Sequence, residues 1–207
     1  MNHLELHFPV RGKTIPRDHG YALYGAISRA APELHGVDWL NICGIGAKMG
    51  GPGTLSLHEP GTLRLRIPVD KVGAVIGLAG KQLEIAGRLV VLGVPTVTPL
   101  VPAAVLDARL VYIRLTTGAK GNALTFSPEA FAQRFSAEAN RQIAKHNISC
   151  TLEIRGRDEI RVGGQRLIGF ALRASGLTDE DSLKLQVVGL GGKRTMGCGV
   201  FRAARAQ

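Results

Sequence analysis

Two Gly-x-Gly pairs, Gly189-Leu190-Gly191 and Gly197-Cys198-Gly199, enclose Gly192 and the basic pair Lys193-Arg194 near the end of the chain. Glycine lets a backbone take positive φ or approach another molecule closely. Successive amides in such a turn can form a concave anion site. With two cations at its centre, phosphate is the natural guest. A Walker loop would place Ser or Thr after Gly-Lys and open a helix, whereas Arg194 follows Gly192-Lys193 here. A dinucleotide fingerprint would follow the first strand of a βαβ unit, and this stretch stands at the far end. A polymer backbone therefore fits better than a nucleoside triphosphate.

The six histidines, His3, His7, His19, His35, His58 and His146, show no metal-ligand spacing, and Gly-x-Ser-x-Gly is absent. No metal, no cofactor and no hydrolase triad are expected. His19 and His35 bracket the first predicted helix, with Tyr24 between them. Histidine is the default general acid or base near neutrality. Lys48, in a Gly-rich turn after the next predicted strand, is a cation able to stabilise a pentavalent phosphorane. Metal-independent RNA cleavage needs little more: a base for the 2′-hydroxyl, and donors or a cation for the charge that develops.

The charge balance agrees with a polyanionic partner. Lys plus Arg number 26 against 16 acids, a net +10, with a pI near 10.1. Residues 107–207 hold 16 basic and 9 acidic residues, so +7 of the +10 lies in that half. Nucleic acid is the first expectation for such a chain. Cys43, Cys150 and Cys198 form no paired framework, which suits a reducing, cytoplasmic compartment. No secretory signal pattern opens the chain. Pro95, Pro99 and Pro102 interrupt its longest uncharged run, which argues against a membrane span and for no membrane partner.

Periodicity supplies the elements that must position these residues. Leu4, Leu6 and Phe8 alternate as a strand. Asp18 is placed to cap a helix over His19 to Ala30. Trp39 to Ile45 reads as a strand, Gly44 to Gly53 as a mobile turn, and Thr62 to Val69 as an alternating strand. Asp70 is placed to cap a helix from Lys71 to Leu78. Leu83 to Leu92 is a strand pair or one bent strand. Residues 95–106 read as a Pro-rich linker. The second half repeats the order: a strand over Ala108 to Leu115, a helix from Ser127 through Pro128 to Lys145, a hairpin or extended pair of Cys150–Ile154 and Glu159–Val162, a strand over Leu167 to Ala174, a helix capped by Thr178, and a last strand over Val200 to Arg202. The expected class is α+β, two tandem ferredoxin-like (βαββαβ, RRM-like) domains at 1–94 and 107–207, the second carrying the Gly-rich loop.

The spacing Gly189-Leu190-Gly191, five residues, Gly197-Cys198-Gly199 resembles the C-terminal Gly-h-Gly-x5-Gly-h-Gly loop, with h apolar, of the RAMP superfamily. The chain is similar to CRISPR-associated repeat-RNA processing endoribonucleases of the Cas-six family, in their compact myxan-type branch. That resemblance implies a metal-independent, sequence-selective cut within a CRISPR repeat RNA, with a stem-loop as the expected substrate, leaving a 2′,3′-cyclic phosphate and a 5′-hydroxyl. It implies a catalytic histidine on or just after the first helix. His35 matches the position just after it and His19 its start, while Tyr24 falls where some branches carry a mid-helix histidine. It further implies that Gly189 through Gly199 holds RNA phosphates, with Lys193 and Arg194 as contacts, and braces the two domains. Arg155, Arg157 and Arg161 are candidates to grip a stem through its backbone. The alternative is a non-catalytic RAMP-type subunit binding guide RNA among other Cas effector-complex subunits.

Overall fold

The computed structural model describes residues 2–115 and 127–204. β1 (His3–Gly12) is the central strand of the N-terminal half. Leu4, Leu6, Phe8 and Val10 are buried along one face, while Glu5 and His7 lie on the other. It pairs with β6 (Gly61–Pro68), which pairs with β3 (Asn41–Gly46). On its other side lies β8 (Arg88–Leu92), followed by β7 (Gln82–Ile85), giving the order β3-β6-β1-β8-β7. The apolar face is covered by α1 (Gly20–Ala30), through Leu23 and Ile27, and by the short α2 (Val72–Ile76), through Val75.

The C-terminal half is a second sheet, in which β10 (Val105–Val111), β11 (Thr151–Val162), β12 (Gln165–Ser175) and β13 (Arg202–Ala203) are ordered β11-β12-β10-β13. α3 (Pro128–Lys145) buries Phe131 and Phe135 against Phe170, the last two with ring centroids 4.8 Å apart. α4 (Asp179–Val188) starts at Thr178, whose hydroxyl accepts from the Asp181 amide, and Ser127 caps α3 in the same way.

Several expectations need correction. Asp18 does not cap α1: His19 occupies that position without a side-chain cap bond, and the Asp18 carboxylate accepts from the Arg161 amide at 3.0 Å. Asp70 makes no cap bond either, because a single 3-10 turn at Val69–Lys71 precedes α2 and shortens the helix. The expected mobile turn and the segments flanking it build a small sheet, β2 (Thr14–Pro16), β5 (Thr54–Ser56) and β4 (Lys48–Gly51), in the order β2-β5-β4. Gly50 permits it, since a Cβ there would stand 2.9 Å from the Ser56 amide nitrogen. Cys150–Ile154 and Glu159–Val162 do not pair with each other. They belong largely to one strand, β11, which pairs with β12 through an irregularity between Ile154 and Gly156. The real turn is Gly163-Gly164, both at positive φ. Within residues 95–106, β9 (Thr96–Pro99) pairs with Leu4 to His7 of β1, and β10 begins at Val105 rather than Ala108. The last strand lies at Arg202–Ala203 rather than starting at Val200.

The two halves meet where α4 ends. The last four carbonyls of a helix lack intrahelical donors and carry its negative dipole end. Here each has a donor from elsewhere: Leu185 from the Gly189 amide, Gln186 from Arg66 Nη1, Val187 from Asn41 Nδ2 at 3.4 Å and Val188 from Arg194 Nη1 at 2.7 Å. Arg66 is 1% exposed and also donates to Glu5 Oε1 through Nε and Nη2, at 3.1 and 2.7 Å. Burial alone would raise the Glu5 carboxyl, but the Arg66 charge and the bonds from His7 and Arg66 hold it below its ordinary value.

Arg66→Met is expected to destabilise the protein by about 3–5 kcal/mol at pH 7, because it strands a buried carboxylate and an orphaned helix carbonyl. Thermal unfolding reads this. The lowered Glu5 carboxyl contributes stability that is present above its ordinary value of 4.5 and is lost as pH falls through its folded value. That acid-side loss is expected to shrink in the variant.

Candidate functional site

α1 carries the candidate acid–base residues, and burial separates them. His19, at its start, is 7% exposed. Its Nδ1 lies 2.9 Å from the Pro16 carbonyl and 3.1 Å from that of Arg17, and its Nε2 accepts from the Ile45 amide at 3.0 Å. These partners fix the tautomer with the proton on Nδ1. Burial lowers its pKa, against the raising effect of the Pro16 carbonyl. Nε2 thus ties the start of α1 to β3, and Nδ1 ties it to the segment that leads into the helix.

His35 sits beyond the other end of α1 and is exposed. Its ring stacks on Tyr24 with centroids 5.6 Å apart. Nδ1 lies 3.2 Å from Ser28 Oγ and 3.4 Å from the Tyr24 hydroxyl, which itself accepts from the Gly36 amide at 2.9 Å. Gly36 takes a φ of +75°, so the turn that presents His35 suits glycine. The eleven residues of α1 span about 16 Å, so His19 and His35 do not share one reacting atom. The structure brings together Tyr24, Ser28 and His35. Ser28 was not singled out from the sequence, although its spacing of one helical turn from Tyr24 was visible. Lys48 lies on β4, three residues past Ile45 and so toward the His19 end, in an exposed 2.7 Å ion pair with Glu59.

The Gly-rich loop follows α4 directly. Most of its amides face protein carbonyls rather than an open anion site. Leu190 donates to Gly199 at 3.0 Å, Gly192 to Tyr112 at 2.9 Å, Cys198 to Lys193 at 3.2 Å and Gly199 to Leu110 at 2.7 Å, while Gly191 donates to Gln142 Oε1 at 3.0 Å. The concave site expected from the glycines is thereby narrowed. The glycines are there for contact: a Cβ on Gly199 would stand 1.9 Å from the Leu190 oxygen, and one on Gly191 2.2 Å from that of Tyr112. Gly189 and Gly197 also take positive φ. Arg194 and Thr195 open a short 3-10 turn, whose first amides have no intrahelical acceptor. Lys193 precedes them, exposed and at a φ of +64°. Arg194 spends its guanidinium on the carbonyls of Val188 and Asp38, at 2.7 and 3.5 Å. The loop packs on the N-terminal half: a Cβ on Gly20 would lie 2.2 Å from the Met196 oxygen, and one on Gly197 3.5 Å from that of Ile42.

Between the halves runs a cleft of about 720 Å³ lined by Arg64, Arg66, Arg109, Arg155, Arg173 and Arg202. Arg155 pairs with Glu153 at 2.8 Å, Arg173 with Asp107 at 2.8 Å and Arg109 with Asp158 at 3.4 Å, which pre-arranges these cations. Arg157 and Arg161 are exposed on β11, and Arg161 lies where that strand reaches Asp18 beside α1. Of these cleft arginines only Arg155 was singled out from the sequence. The others come from four strands, and nothing in their linear spacing groups all of them.

A family model described as Cas6 Crispr matches residues 4–206. The chain is 37% identical over 208 residues to the CRISPR-associated endonuclease Cas6 of Myxococcus xanthus (strain DK1622), covering 99% of this chain and 84% of that one. Among solved structures, a CRISPR associated protein Cas6 aligns with a TM-score of 0.70 at 12% identity, over 99% of this chain and 100% of the other. A RAMP protein binding different RNA substrates also aligns with a TM-score of 0.70 at 12% identity, over 98% of this chain and 100% of the other. These two likenesses show a shared mixed α+β fold.

Gly20→Ala tests the contact between loop and helix. Alanine at a helix start ordinarily gains up to about 1 kcal/mol over glycine, yet here the Met196 oxygen should turn this into a net loss of about 1–3 kcal/mol. Gly73→Ala, where nothing lies within 4 Å, is the control and should show no loss in urea unfolding. His19 gives a second test. With its folded pKa lowered, the unfolded chain binds the extra proton first, so stability falls as pH drops below the ordinary 6.5. His19→Asn should be less stable at pH 7.5 and lose less of its stability between pH 7 and pH 5, as read by thermal unfolding.

Proposed function

The chain belongs to the Cas6 family, and on that premise we propose that it is an endoribonuclease that cuts CRISPR repeat RNA without a metal ion. The observation that carries this reading is the exposed His35, stacked on Tyr24 and next to Ser28, at the end of the helix that the Gly-rich loop braces. In the tautomer with Nδ1–H donating to Ser28 Oγ, Nε2 is the basic nitrogen. It takes the proton of a 2′-hydroxyl. The 2′-oxygen attacks the adjacent phosphorus, and the bond from phosphorus to the 5′-oxygen breaks. The leaving oxygen collects a proton from the Tyr24 hydroxyl or from water, which leaves a 2′,3′-cyclic phosphate and a 5′-hydroxyl. Lys193 and the neighbouring free amides, in the loop that packs at the start of α1, are offered to phosphates of the strand flanking the cut.

In the same reading, His19 positions α1 rather than serving as the base, since neither ring nitrogen is spare. Lys48 is assigned no step, because it lies toward the His19 end of α1. The arginine-lined cleft and the basic β11 hold the RNA backbone on either side of the cut. The relative from Myxococcus xanthus, an endonuclease by name, supports the enzyme reading over a purely structural subunit.

We also read the chain as two tandem ferredoxin-like units. Both sheets support this, since β3-β6-β1-β8 and β11-β12-β10-β13 place the second, third, first and fourth strands of each unit in the same order. β9 belongs with the first unit through its pairing to β1, so the division falls just after Pro99, within the span 95–106.

Single-turnover cleavage of a labelled repeat RNA by excess protein tests the assignment. His35→Ala should cut at least about 100-fold more slowly with little change in RNA affinity. An unchanged rate in that variant would remove His35 as the base, and tight binding by wild-type protein with no cut would favour the guide-RNA-binding subunit. Lys193→Ala should weaken binding and lower the salt slope by about 1. An unchanged slope would mean that Lys193 contacts no phosphate.

A further inference from the structure

The end of α4 divides the space between the two halves. On one side lies the arginine-lined cleft, and on the other a second cleft of about 520 Å³ whose lining includes His3, Asp38, Trp39, Asn41, Gln142 and Arg194. Its chemistry differs from that of its neighbour. Arg194 is already bonded to the carbonyls of Val188 and Asp38, and the Asp38 side chain adds a negative charge, so the lining does not favour a phosphate. What it offers is an aromatic ring and acceptors. Trp39 is half-buried, packed on the N-terminal core while also lining the cleft. Val187 and Val188 also line it.

Two buried side-chain atoms here have no hydrogen-bond partner, Asn41 Oδ1 and His3 Nδ1. Asn41 is 4% exposed, and its amide nitrogen is committed to the Val187 carbonyl. A buried carboxamide oxygen without a donor is unfavourable and calls for a partner. A water molecule would satisfy one atom, but it would leave the indole and most of the volume without a role. The size falls within the range of small-ligand sites, about 300–1,000 Å³. Aromatic side chains in RNA-binding proteins stack unpaired bases, whose edges are then read by hydrogen bonds.

We propose that this cleft takes one unstacked nucleobase of the RNA, a base whose exocyclic amino group donates to Asn41 Oδ1 while its ring lies against Trp39. The inference rests on the RNA-cutting reading and adds a base-selecting site to it. Uracil has no exocyclic amino group and is selected against, whereas adenine, cytosine and guanine each carry one. Asp38 lies three residues after His35, within about 10 Å along even a fully extended chain. The selected base therefore belongs to a nucleotide close to the cut.

Trp39 is the chain's single tryptophan, so the whole protein reports on the cleft without a label. Ten-nucleotide oligo(A), oligo(C) and oligo(U) RNAs, each 5′-labelled, are titrated while RNA anisotropy and Trp39 emission are read together. Oligo(A) and oligo(C) are expected to quench roughly half of the emission at saturation, and oligo(U) to bind with little quenching. Asn41→Leu and His3→Ala should lose the preference for A and C over U. The proposal is overturned if the RNAs bind and Trp39 emission stays constant, or if oligo(U) quenches as strongly. It is also overturned if both variants keep the wild-type preference. Absence of any RNA binding would instead contradict the RNA reading on which it rests.

Discussion

The buried guanidinium of Arg66 is the interaction on which the arrangement depends. It sits on the strand beside β1, pairs with Glu5 on β1, and donates into the last turn of α4 from the other half of the chain. An arginine this buried is tolerable only when its donors are used and its charge is compensated. Glu5 supplies the charge, and the negative end of α4 adds to it. Asn41 and Arg194 serve the next two carbonyls of the same helix end. The two halves thus meet where carbonyls at the end of α4 coincide with Arg66 and Asn41, donors of the other half, while Arg194 serves the last one from the half that carries α4. The clefts on either side of α4 follow from that meeting, and so does the starting position of the Gly-rich loop.

From there the loop reaches back toward α1 by close backbone contact. Its glycines remove side chains at Leu190 and Tyr112, and Gly20 of α1 does the same at Met196. This places a basic turn beside the helix that carries His19 and His35. The same residue type then does different work at the two ends. His19 is enclosed, its nitrogens spent on backbone, and its pKa is lowered by burial. His35 stands in solvent, oriented by a ring stack and one hydroxyl. Exposure rather than identity separates the positioning residue from the proposed base.

Much of this was legible in the sequence. Alternation of Leu4, Leu6 and Phe8 and the Ser127 and Thr178 caps are local patterns, and the structure keeps them. The loop spacing led to the correct family. What escaped was long-range. Arg64 and Arg66 alternate with apolar residues on β6, yet Arg66 is buried with its guanidinium donating into the end of α4. Asp18 reads as a cap, but the Arg161 amide, far along the chain, claims its carboxylate. Short strands such as β2, β4, β5 and β9 have too few residues for a period to show, and their pairing is set by neighbours. Neither cleft is written in any one segment. Their lining residues are single positions on many elements, gathered only when the halves dock.

The most direct measurement is incubation of the purified protein with an end-labelled CRISPR repeat RNA in EDTA, beside a copy carrying a 2′-deoxy substitution at the cut nucleotide. Attack by the 2′-hydroxyl without metal predicts one discrete product from the first RNA, ending in a 2′,3′-cyclic phosphate, and none from the second. Equal cutting of the 2′-deoxy copy, or cutting that vanishes in EDTA and returns with a divalent cation, would contradict it.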